Sequence, residues 1–127
     1  LGEHLRLAGD YDEACRCCDR ATQIWEEFGR ERAAFLARLR RAEVELGRGA
    51  HDEALDRADE LVRISSEVPF EIYRDFALEF RGRVHAAAAR PERARDDLRG
   101  ARQLRDDRDR RRLVDRTERL LRRLERQ

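Results

Sequence analysis

The stretch Gly9-Asp10-Tyr11-Asp12-Glu13-Ala14 returns as Gly49-Ala50-His51-Asp52-Glu53-Ala54 and, more altered, as Ala89-Arg90-Pro91-Glu92-Arg93-Ala94. Its alanines, Ala14, Ala54 and Ala94, stand forty residues apart. Seven residues after each comes Ala21, Leu61 or Ala101, and three further on Ile24, Ile64 or Leu104. Those steps are close to whole turns of an α-helix, so one helix face is presented three times. A single helical hairpin cannot bury its apolar face alone, and hairpins repeated at a fixed period stack so that each covers the next. The repeat predicts an all-α chain, an α-solenoid of about three helix–turn–helix hairpins.

The apolar pattern supplies the elements. Leu1, Leu5 and Ala8 mark the end of a helix that Gly9 is expected to stop, with Asp10 as N-cap and Glu13 completing a capping box. A helix over about 11–28 then carries Ala14, Cys15, Cys18, Ala21, Ile24 and Trp25 on one face. The next, about 30–46, has the stripe Phe35, Leu39, Ala42 and Leu46, and another follows over about 52–65. Pro69 suits a first helical turn and opens a helix to about residue 89, and Pro91 opens the next, to about residue 106. A last helix, about 109–126, carries Leu113, Thr117, Leu120 and Leu124, a stripe expected to cap the final repeat in preference to forming a coiled-coil seam with a partner helix. No stretch alternates with a period of two, so no strand is expected. The chain reads as one domain, 1–127, with repeats at about 1–29, 30–66 and 69–106.

This pattern resembles the tetratricopeptide repeat family. The resemblance rests on Leu1-Gly2, the Gly9–Ala14 stretch and Ala21. It continues through Ala42, Gly49, His51-Asp52-Glu53-Ala54, Gly82, Ala94 and Ala101. The period of forty exceeds the family's usual thirty-four, as in its long-helix variety. Arg41 and Arg81 stand where Leu1 stands in the first repeat, and Glu45 and His85 where Leu5 does. Bare charges are costly to bury, so either those helices turn another stripe inward or the charges pair.

The resemblance implies a non-enzymatic module that holds a peptide or partner domain in a concave groove lined by the first helix of each hairpin. Carried over by position, the lining is Glu3, Arg6 and Leu7, then Leu36, Leu39, Glu43 and Leu46, then Phe76, Glu79, Arg83 and Ala86. Leu39, Leu46 and Phe76 serve equally well as core, whereas Glu43 and Arg83 are charges on an inward helix. Family members that clamp a terminal carboxylate use lysine and asparagine. Glu3, Glu43 and Arg83 occupy the asparagine position here, which argues against that clamp.

Charged residues make up 45% of the chain, but they interleave with a helical apolar period, which speaks for order rather than disorder. All 29 basic residues are arginine, a usage that points to a GC-rich genome, and a bacterial regulatory or scaffolding protein fits it. The missing initiator methionine suggests a piece of a longer protein. Residues 1–98 hold 17 arginines against 22 acids, and residues 99–127 hold 12 against 6. The basic C-terminal helix offers an alternative role, binding nucleic acid or an acidic partner, although its interleaved acids argue against nucleic acid.

Cys15, Cys17 and Cys18 are too local for a disulfide framework and point to a reducing, cytoplasmic setting. Cys15 and Cys18 sit on a core face, and no further ligands lie nearby in sequence, so core packing outweighs a metal site. His4, His51 and His85 are scattered, no phosphate-binding glycine loop occurs, and no cofactor or catalytic constellation emerges. No apolar run approaches a membrane span. Cys18 and Trp25 on the first hairpin lack cover, which expects either a preceding segment or a homodimer through that end.

Overall fold

Four helix ends share one device, repeated at multiples of twenty residues. Gly29, Gly49, Ala89 and Asp109 all adopt positive φ, at 69°, 82°, 58° and 55°. At each, two backbone bonds close a Schellman motif. Gly29 and Arg30 donate to Glu26 and Trp25, and Gly49 and Ala50 to Leu46 and Glu45. Ala89 and Arg90 donate to Ala86 and His85, and Asp109 and Arg110 to Asp106 and Arg105. The left-handed conformation costs a glycine nothing, which explains Gly29 and Gly49, while Ala89 carries a steric penalty of about 1 kcal/mol.

The computed structural model describes the backbone of residues 2–126 and the side chains of residues 9–126. These turns delimit α1 (Gly2–Glu27), α2 (Glu31–Gly47), α3 (His51–Ile64), α4 (Arg74–Ala87), α5 (Pro91–Asp107) and α6 (Arg111–Glu125). Among the described residues there is no strand, and the chain is an all-α helical repeat. The junction after α3 departs from the others. There Ser65 Oγ donates to the Val62 carbonyl at 2.9 Å, Arg74 donates to that same oxygen at 3.0 Å, and a 3-10 turn over Phe70–Tyr73 precedes α4. The expected helix from Pro69 therefore begins later, at Arg74.

The expected break at Gly9 is absent: α1 runs unbroken through Gly9 and Asp10, which serve as helix interior rather than as stop and cap. An added Cβ at Gly9 would meet nothing within 4 Å, so no neighbour requires a glycine there. A glycine in a helix costs roughly 0.5–1 kcal/mol, little against a helix of 26 residues.

The chain forms two compact units, 1–57 and 58–127. In the first, α1 lies antiparallel to α2. Tyr11 donates its hydroxyl to the Gly47 carbonyl at 3.1 Å near one end, and Arg38 pairs with Glu26 near the other. Cys15, Ala34, Phe35, Leu39 and Ala42 are buried there. In the second unit α4 lies antiparallel to α5, and α5 packs on α6. α5 approaches α4 closely at Gly82, where an added Cβ would lie 3.0 Å from Leu98 Cγ and 3.2 Å from the Ala94 carbonyl oxygen. Ala94, Leu98 and Leu124 are buried together, with Ala86, Leu120 and Leu121 packed against them. Of the three repeated alanines, Ala54 and Ala94 are fully buried, whereas Ala14 is only half-buried.

Candidate partner-binding site

Charges at normally apolar helix positions are paired rather than turned outward. Arg41 on α2 reaches Asp19 on α1 at 3.1 Å and also pairs with Glu45. Glu45 is 2% exposed and is bound from its other side by Arg48 at 2.9 Å. Forty residues on, Arg81 on α4 reaches Asp59 on α3 at 3.2 Å and Asp97 on α5 at 2.8 Å. The fold uses both ways to accommodate these charges: Phe35, Leu39 and Ala42 are turned into the core, and the charges pair. Burial pushes the His85 imidazole below its ordinary range. Asp97, 3.8 Å away, opposes that shift without reversing it, and Arg81, Arg90 and Arg93 add to it.

The densest cluster lies inside the second unit. Arg105 is fully buried. Its Nε donates to Asp75 at 2.9 Å, and its Nη1 donates to Glu79 at 3.0 Å and to the Thr117 hydroxyl at 2.8 Å. The guanidinium also lies over the Phe76 ring, 4.9 Å from its centroid. Arg116 holds the second Glu79 oxygen at 2.7 Å, while Arg108 and Arg110 stand 3.5 and 3.7 Å from Asp75. One buried cation thus joins α4, α5 and α6. Sequence reading missed it, because Arg105 looked like one more arginine in a charged helix. The available signal was columnar: forty residues before Asp75, Glu79 and Arg105 stand Phe35, Leu39 and Ser65, all buried and uncharged.

The proposed groove residues fall into three groups. Glu3, Arg6 and Leu7 lie outside the residues whose side chains are described. Leu39 and Glu79 are closed to solvent, Leu39 in the core of its unit and Glu79 beneath Arg105 and Arg116, so a ligand meets neither. Leu36 is 39% exposed, and Glu43, Leu46, Phe76, Arg83 and Ala86 are half-buried. Glu43 takes a bond from Arg40 at 3.0 Å, while Arg83 makes no ion pair among the described residues. Ile24, Trp25 and Phe28 near the end of α1 stand open, Phe28 being 74% exposed.

The tetratricopeptide repeat description matches residues 1–64, half of the chain. The chain belongs to the tetratricopeptide repeat family. Such repeats generally mediate protein–protein interaction and are typically not enzymes. Comparison with curated proteins and with solved structures returned no match. Among the described residues no group of histidine, cysteine or carboxylate side chains is arranged to hold a metal ion, and no helix is long and apolar enough to cross a membrane. Cys15 is buried, Cys17 exposed and Cys18 half-buried, and burial pushes the Cys18 thiol up.

Proposed function

We propose that this tetratricopeptide repeat chain is a non-enzymatic binding module whose open helix faces, that of α2 in the first unit and that of α4 in the second, each hold a peptide or partner domain. A larger bacterial regulatory or scaffolding protein working in a reducing compartment is the setting that its arginine usage and three free cysteines fit. The observation that carries the reading is that Leu36 and Leu46 on α2, and Arg83 and Ala86 on α4, keep accessible surface that their own helical pairs do not consume. The apolar members supply affinity, and the oppositely charged Glu43 and Arg83 choose the ligand.

Selection of binders from a random peptide library tests this. The chain should enrich a family of peptides, and Glu43→Arg or Arg83→Glu should shift the charge of the peptides recovered. If the charge profile stays the same in both variants, α2 and α4 are not the binding faces.

A second reading is favoured by the exposed Ile24, Trp25 and Phe28, which would join two copies through the end of α1. Sedimentation velocity would then show a dimer that Trp25→Glu converts to monomer, and a concentration-independent monomer would dismiss it.

A further inference from the structure

One repeated contact is inverted at the last step of the repeat. Asp19 on α1 holds Arg41 on α2, and Asp59 on α3 holds Arg81 on α4. The next members of those two columns are Arg99 on α5 and Leu121 on α6. The flanking columns change as well. Cys15 and Leu55 give way to Arg95, and Thr22 and Val62 give way to Arg102. A helix face that is apolar and acidic twice becomes a row of three arginines at helical spacing, about 10 Å from first to last Cα.

That row forms one wall of a cleft of about 300 Å³ between α5 and α6. Glu118, Leu121, Arg122 and Glu125 line the other wall. Leu121 lies at the base, packed on the Ala94, Leu98 and Leu124 core. Arg95, Arg99 and Arg102 make no ion pair among the described residues, although 28 acids are present in the chain. Four arginines against two glutamates leave the cleft cationic over an apolar floor. Arg122 occupies the column of Ala42 and Gly82, and at Gly82 there is too little room for a Cβ beneath α5. A helix seated as tightly as α5 is on α4 would strike Arg122, so what enters here sits higher and is held by charge.

We propose that the α5–α6 cleft binds an acidic helical segment of a partner protein, its carboxylates at i, i+4 and i+7 meeting Arg95, Arg99 and Arg102 and an apolar side chain reaching Leu121. This goes beyond binding along α2 and α4 and uses none of those residues. A helix matches the arginines in pitch, and carboxylates accept the fork of a guanidinium in paired bonds.

The test is fluorescence anisotropy in low salt with a labelled helical peptide bearing Glu at those positions and Leu between them. Two further probes are the same peptide with Arg for Glu and a short DNA duplex. The protein variant is Arg95→Glu, Arg99→Glu and Arg102→Glu combined, at half-buried or exposed positions, with circular dichroism confirming unchanged helicity. The acidic peptide should bind saturably, weaken at least tenfold in the variant, and weaken again between 50 and 200 mM salt. The arginine peptide should gain affinity for the variant. Absent saturable binding, equal binding to the variant, or tighter binding of duplex than of peptide would overturn the proposal. Peptides selected through α2 and α4 should still bind the variant, so the two readings fail separately.

Discussion

Removing the Arg105 guanidinium isolates two buried carboxylates, and the size of the resulting loss can be worked out. Asp75 and Glu79 have side-chain exposures of 0% and 3%, and Arg105 supplies each of them with a direct hydrogen bond. Breaking a buried ion pair from one side costs roughly 3–5 kcal/mol. Arg116 stays on Glu79 at 2.7 Å and Arg108 stays 3.5 Å from Asp75, so Arg105→Met belongs at the lower end, about 3 kcal/mol. With a urea slope of about 2 kcal/mol/M, the unfolding midpoint should fall by about 1.5 M. The charge itself, rather than lost volume, is isolated by a second variant. Asp75→Phe, Glu79→Leu and Arg105→Ser together install the side chains that the same columns hold forty residues earlier. Replacing a whole buried charge cluster by apolar groups is often neutral or stabilising, so this triple variant should recover to within about 1–2 kcal/mol of the parent. A loss below 1 kcal/mol in Arg105→Met, or a triple variant as unstable as the single one, would refute the reasoning.

Four further outcomes are expected. Gly9→Ala should stabilise by roughly 0.5–1 kcal/mol in urea melts, because Gly9 lies inside α1 with open space around it. Gly82→Ala should instead destabilise by about 1 kcal/mol, since crowding against Leu98 and the Ala94 carbonyl, at about 1–3 kcal/mol, outweighs a helix-propensity gain of about 1. His85 is held neutral in the fold, so the unfolded chain takes up the proton first. The stability it contributes is complete above the ordinary value of 6.5 and is lost as pH falls through the lower folded value. His85→Gln should accordingly lose less stability than the parent between pH 7 and 5, and equal losses would dismiss the role. Alkylation at pH 7 followed by mass spectrometry should label exposed Cys17 first and leave buried Cys15 and raised-pKa Cys18 for last.

The helices and most of their ends were legible because apolar spacing and glycine speak locally. Gly9 misled for the same reason. Its neighbours match those of Gly49, and only the surrounding helix, which no short motif encodes, decides that one continues while the other turns. The finer period of twenty stayed hidden because Ala89 and Asp109 do at their turns what Gly29 and Gly49 do. Charge pairing was one of two open answers for Arg41 and Arg81. The partners that the two share by column, Asp19 and Asp59, lie 22 residues away on another helix, and only the repeated offset ties them together. Arg105 was invisible for a related reason: Asp75 and Glu79 lie 30 and 26 residues from it, and each alone reads as a solvated helix charge.

The most direct measurement is chemical-shift mapping of a library-selected peptide on the isotopically labelled chain. Binding along α2 and α4 predicts saturable shifts at Leu36, Glu43 and Leu46 and at Arg83 and Ala86, with α1 giving helical shifts straight through Gly9 and Asp10. Shifts confined to α6 and the turns, or none at all, would contradict it.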